Sequence, residues 1–118
     1  MGEIFNQDEA KQFLHAKEEK EKQAREKGRL SVLQKVISIL KKEFEGSHVE
    51  VYLIGSILHP FAFSSRSDID IVLKNFKEDR FDIWAKLERI IERKVEIILF
   101  ETCRFKDFVL TQGYKIEV

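Results

Sequence analysis

Residues 53–73 read LIGSILHPFAFSSRSDIDIVL, and the fold turns on how this stretch is parsed. It opens on the end of an apolar run, residues 49–54, rich in β-branched and aromatic side chains, which reads as a strand. Gly55-Ser56 follows at once. Glycine lets the backbone approach a bound group without Cβ obstruction, and serine offers a hydroxyl and a helix N-cap. Together they can turn backbone N–H groups towards a phosphate. The stretch closes on a second strand, residues 69–73, entered through Asp68. Side chains alternate faces along a strand, so Asp68 and Asp70 project from the same face. Paired carboxylates repel unless a cation or basic group neutralises them, and their oxygens match the hard donor set that Mg²⁺ prefers.

Further along, residues 95–100 form an apolar run interrupted by one acid, Glu96. Period two sets Glu96 and Ile98 on one face, opposite Val95, Ile97 and Leu99. An uncompensated charge in such a run is costly to bury. If this strand neighbours that of Asp68 and Asp70, the three carboxylates converge on one site. The competing reading is an edge strand with Glu96 turned to water.

The flanking segments read as helices. Residues 80–92 carry Phe81, Trp84, Leu87, Ile90 and Ile91 at helical spacing. Leu30, Leu33, Ile37, Leu40 and Phe44 recur every three or four residues on one helical face, and Gly46 supplies a stop. Residues 8–29 are strongly charged and helix-favouring, with Gly28 marking a bend or a weak point. Residues 104–110 predict a last short helix and residues 114–118 an edge strand. The pattern predicts an α/β (α+β) class: a small mixed β-sheet packed against helices, with a long charged N-terminal helix. Residues 1–29 form a helical extension and residues 30–118 the domain proper.

A chain of 118 residues with 43% apolar content fills one core and leaves little room for a separate acceptor-binding domain. A large substrate must dock from outside or arrive with a partner. Lys and Arg number 21 against 21 Asp and Glu, so there is no general pull towards nucleic acid or anionic membrane. Direct nucleic-acid binding is not expected. The lone Cys103 makes no intrachain disulfide, and His15 and His48 have no clustered partners to suggest zinc. The first ten residues lack a signal peptide's apolar run, and no stretch approaches the roughly 18 apolar residues that span a bilayer. No membrane association and a cytoplasmic location are expected. His59 reads as a surface residue, Arg66 as a phosphate-neutralising group or an ion-pair partner.

Gly-Ser after a strand, eleven residues, Asp-x-Asp, then a later strand with an acid among apolar residues resembles the nucleotidyltransferase superfamily. The short form, the minimal nucleotidyltransferases (MNT), matches best, over residues 30–101. The resemblance implies the nucleotidyltransferase fold, with Gly55 and Ser56 on the triphosphate. Asp68, Asp70 and Glu96 become the catalytic residues and ligands of Mg²⁺ or Mn²⁺, with Glu96 also positioning the attacking hydroxyl. It implies transfer of a nucleotide, AMP from ATP or a relative from another nucleoside triphosphate, to a hydroxyl acceptor. The implied acceptor is a HEPN-type toxin, the chain acting as its antitoxin. The sequence departs from the family in Ile57-Leu58-His59-Pro60-Phe61, where a basic or small residue often follows Gly-Ser, and in Glu96, where Asp is common.

Two other functions compete. One is a non-catalytic module that neutralises a partner protein by contact; the other is a small-molecule nucleotidyltransferase, which the short chain disfavours. The charged N-terminal helix and the loop phenylalanines Phe61 and Phe63 are the surfaces expected to assist docking.

Overall fold

A computed structural model describes residues Gln7–Val118. Helix α1 (Gln7–Glu43) leads to β1 (Glu50–Ile54), a short 3₁₀ turn (Ser56–Leu58) and β2 (Ile69–Lys74). Then come α2 (Arg80–Ile91), β3 (Val95–Leu99), a second 3₁₀ turn (Phe100–Thr102), α3 (Lys106–Gln112) and β4 (Tyr114–Ile116). The four strands form one mixed sheet in the order β3-β2-β1-β4. β1 runs antiparallel to β2 and β4, and β2 runs parallel to β3. The α/β class and mixed sheet therefore match the sequence reading. Among the described residues no helix is long and apolar enough to cross a membrane.

The sheet has two covered faces. Val51 and Leu53, Ile69, Ile71 and Leu73, and Val95 and Ile97 pack with Val36 and Leu40 of α1, Phe44 just past its end, and Ile83, Leu87 and Ile91 of α2. Full burial of each aliphatic side chain stabilises by about 1.5–3 kcal/mol, so this layer carries most of the fold. The other face holds a smaller cluster of Tyr52, Ile54, Val72, Phe100, Cys103 and Val109 under α3.

The helices differ from the sequence reading in which residues they bury. Leu40 on α1 and Phe44 just after it are buried as expected, but Leu30 is 45% exposed and Val36 takes the inward position. On α2, Ile83, Leu87 and Ile91 face the core, while Phe81 and Trp84 are 74% and 40% exposed. Phe81 and Trp84 lie on one side of the helix and Ile83, Leu87 and Ile91 on another, and only the side that meets the sheet is buried. Asp79 starts α2 by accepting hydrogen bonds from Phe81 N (2.8 Å) and Asp82 N (3.3 Å).

α1 is continuous through Gly28, with no break at the expected boundary between residues 29 and 30. Its 37 residues correspond to about 55 Å at about 1.5 Å per residue, in a molecule 74 Å in its longest extent. Residues 11–25 are exposed throughout, so the first half of α1 stands clear of the body. The part of the extension before Gln7 lies outside the described residues.

β3 is an edge strand. In its parallel register with β2, Lys94 O accepts from Ile69 N at 2.9 Å, which leaves the backbone groups of Val95 facing outward. α2 satisfies both: Trp84 Nε1 donates to Val95 O and Glu88 Oε2 accepts from Val95 N, each at 2.8 Å.

Candidate functional site

The backbone register builds a row across the sheet. Ile54 stands opposite Asp70 on β2, and Asp70 stands opposite Glu96 on β3. Glu96 thus shares a face with Asp70, as the period-two reading expected, and that face is the one covered by the smaller cluster. Asp68 precedes β2 by one residue and is half-buried. Glu96 itself is exposed. The burial cost anticipated for it is therefore not incurred; its link to the site is its position beside Asp70.

Gly55 follows Ile54 and turns the chain over Asp70. Its φ of +89 and ψ of −163 lie in a region essentially reserved for glycine. A Cβ there would fall 2.5 Å from Asp70 Oδ2. The close approach expected of Gly55 is thus real, and what it approaches is a carboxylate. Gly55, not Ser56, is the N-cap residue of the 3₁₀ turn, so the expected N-cap role of Ser56 is not seen; the Ser56 side chain is half-buried beside Gly55.

The electrostatics are those of crowded like charge. Burial, the neighbouring Glu96 and then Asp68 push the Asp70 carboxyl up to about 6. Two ionised carboxylates cannot hydrogen-bond to each other, so the Asp70–Glu96 contact is a bond only when one carries a proton. None of the three acids is ion-paired among the described residues.

All-oxygen donors, uncompensated negative charge and a glycine that opens the space beside Asp70 fit a hard divalent cation. The side chains as they stand bring Asp70 and Glu96 together, with Asp68 adding its charge from nearby. Among the described residues no three Asp, Glu, His or Cys side chains close into a metal-holding group.

Two features of the surroundings escaped the sequence reading. The first is a cleft of about 200 Å³ lined by Arg80, Phe81, Trp84, Val95, Glu96 and Ile97. It brings two aromatic residues and an arginine of α2 beside Glu96, residues to which the sequence reading gave no place in the site. The second is a clamp on the turn. Arg29 is 7% exposed and donates through Nη1 to Ile57 O at 2.8 Å. It also pairs with Glu26, which accepts from Phe61 N at 3.0 Å. One helical turn of α1 therefore holds both ends of the segment that follows Gly55-Ser56. An Arg-Glu pair three residues apart in a charged run carries no sign of this.

The remaining expected residues fall as follows. His59, Arg66, His15 and His48 are exposed. Phe61 is 57% exposed and is open to a partner, whereas Phe63 is 5% exposed, packed in the main core with Arg93 over its ring. Phe63 is thus a core residue and not a docking residue. A further cleft, about 470 Å³ and lined by residues such as Phe44, His48, Asn75 and Phe76, sits where β1 begins and β2 ends, away from the three acids.

No family model matches the chain, and no curated protein or solved structure matches it.

Proposed function

We propose that this chain is a metal-dependent nucleotidyltransferase of the minimal type, with the nucleotidyltransferase fold. It transfers AMP from ATP to a hydroxyl on a partner protein, a HEPN-type toxin that it silences. The observation that carries this reading is the row formed by Asp70 and Glu96 beneath the Gly55 turn, with Asp68 adjacent. A strand-end Gly-Ser, an Asp-x-Asp and a third acid in register are the parts that such chemistry needs on one face.

In the reaction, the acceptor oxygen attacks the α-phosphorus and forms the new P–O bond. The bond from that phosphorus to the α,β-bridging oxygen breaks, and pyrophosphate leaves with the electron pair. Asp68, Asp70 and Glu96 would hold Mg²⁺ or Mn²⁺, which when bound would supply charge neutralisation for the triphosphate and the leaving pyrophosphate. Gly55 lets the Asp70 carboxylate lie against the turn, and the Ser56 side chain offers a hydroxyl donor to the phosphate chain. Glu96, open to solvent, accepts the hydrogen bond of the attacking hydroxyl, takes its proton and releases it to water. The cleft of Phe81 and Trp84 gives an apolar wall beside that position.

The test is incubation of the full chain with α-labelled ATP, Mg²⁺ and the protein encoded beside it. Label on the partner, lost in Asp70→Asn, supports the reading; no transfer to any protein or small hydroxyl compound overturns it.

A second reading, a module that neutralises its partner by contact alone, draws on the exposed first half of α1 and the solvent-facing Glu96. It predicts full neutralisation by a chain lacking all three acids.

A further inference from the structure

We infer that the cleft between α1 and residues 63–65 binds a small phosphate-bearing anion, independently of any nucleotidyl transfer. Arg25, Gly28 and Arg29 of α1 line this cleft of about 220 Å³ together with Phe63, Ser64 and Arg93. Three guanidinium groups thus meet at one surface of a chain that has no net charge.

Their charges are unequally matched. Arg29 is neutralised by Glu26 and held by Ile57 O. Arg25 and Arg93 have no carboxylate partner among the described residues. Arg93 is nonetheless rigidly held. Its guanidinium carbon lies 4.5 Å from the Phe63 ring centroid, and Nη2 donates to Ser64 O at 2.7 Å and Ser67 O at 3.1 Å. Its Nε is shielded from water and meets no acceptor. Buried polar groups nearly always have a partner, and a charged one without a counter-ion is costly. Among the described residues Nη1 takes part in no hydrogen bond, so a guanidinium held through Nη2 presents an unused donor in a cleft that Arg25 also lines. Planar forks of this kind match phosphate oxygens.

Gly28 is the second, separate observation. It lies within a continuous helix, where glycine is the weakest former after proline. A Cβ at this position would touch nothing within 4 Å, so no close packing requires a glycine. It lines the cleft, and a methyl group there would stand in the space a ligand uses. The short cleft and the balanced overall charge favour a small phosphate over a nucleic-acid backbone, which needs an extended basic track.

The experiment titrates inorganic pyrophosphate, and in parallel phosphate, into the full chain in EDTA. Chelation removes metal-dependent binding at Asp68, Asp70 and Glu96, so failure of the transferase reading and failure of this site are separable. Saturable binding with movement of the Arg93 Nε–H resonance is expected. Arg25→Gln, at an exposed position, weakens binding about tenfold or more. Gly28→Ala raises thermal stability through helix propensity yet weakens binding, an opposition that a structural glycine would not produce. Asp68→Asn binds like the parent. ATP that competes for the same residues in EDTA marks a nucleotide's phosphate tail as the source, whereas phosphate alone marks a simple anion; both uphold the site. Absence of saturable binding at millimolar pyrophosphate, or unchanged affinity in both Arg25→Gln and Gly28→Ala, overturns it. Displacement by an oligonucleotide of much higher affinity overturns the small-ligand assignment.

Discussion

The carboxylate of Asp70 occupies the space that a side chain on Gly55 would need, with Oδ2 only 2.5 Å from the ideal Cβ position. Gly55→Ala therefore meets both a clash and a positive φ, and is expected to destabilise by about 1–3 kcal/mol. Denaturant titration measures it. Combining Gly55→Ala with Asp70→Ala should recover the part due to the clash and leave the backbone part; strictly additive losses would show that the two residues do not meet.

The pH dependence of the metal-free protein follows from the same carboxyl. Asp70 is raised from an ordinary 3.8 to about 6, first by burial, then by Glu96 and Asp68. A carboxyl raised by folding binds its proton more tightly in the folded state. Its stabilising contribution is complete below the unfolded value and is lost as pH rises through about 6. In EDTA, the parent should thus gain stability relative to Asp70→Asn as pH falls from about 7 towards about 4. Denaturation midpoints for both proteins across that range test it, since carboxyls remote from Asp70 cancel in the difference; parallel curves would contradict the crowding of Asp70.

For the proposed transfer, Asp68→Asn and Asp70→Asn should each lower the rate at least about 100-fold, because each removes a charged oxygen ligand. Ser56→Ala should cost only about 0.5–1.5 kcal/mol of triphosphate affinity, one hydrogen bond's worth. Single-turnover assays with labelled ATP separate the two effects. An active Asp70→Asn enzyme would remove the metal assignment.

Arg29→Leu should loosen the turn without touching the acids. It strips Ile57 O of its donor, about 1–3 kcal/mol for an unsatisfied buried carbonyl, and leaves Glu26 without its cation. Faster amide exchange at Phe61 and Leu58, with the sheet amides still protected, is the expected pattern. Uniform exchange across the chain would mean that Arg29 acts on global stability alone.

The element order, the strands and the shared face of Asp70 and Glu96 were legible because each depends on short-range periodicity. Burial on the helices was not. α2 carries apolar residues on two sides, and only the approach of the sheet decides that Ile83, Leu87 and Ile91 go inward while Phe81 and Trp84 line a cleft. Phe63 looked like a loop residue because nothing local reveals that Arg93, thirty positions on, lies across its ring. The Glu26–Arg29 clamp was hidden for the same reason: its partners, Ile57 and Phe61, are distant in sequence.

That clamp also sets where a truncation that tests docking by α1 must stop. Removing residues 1–27 would delete Glu26 and disturb the turn directly. Removing residues 1–20 takes away, among the described residues, helix that is exposed apart from a half-buried Ala10, so thermal stability should hold while partner binding or modification weakens. Calorimetric titration against the partner measures the loss, and full binding by the shortened chain would free α1 of any docking role.

Trp84 and Glu88 give the open side of β3 a further property. A strand from another molecule that tried to extend the sheet there would have to bond Val95, whose N–H and C=O are already taken by α2. The first rung of the ladder is filled from within, and the adjoining carboxylate of Glu96 makes an apolar newcomer less welcome still. The chain thereby carries its own guard against edge-to-edge polymerisation, one that lasts only while α2 stays docked. Aggregation would then begin with a detached α2 rather than with an unfolded chain.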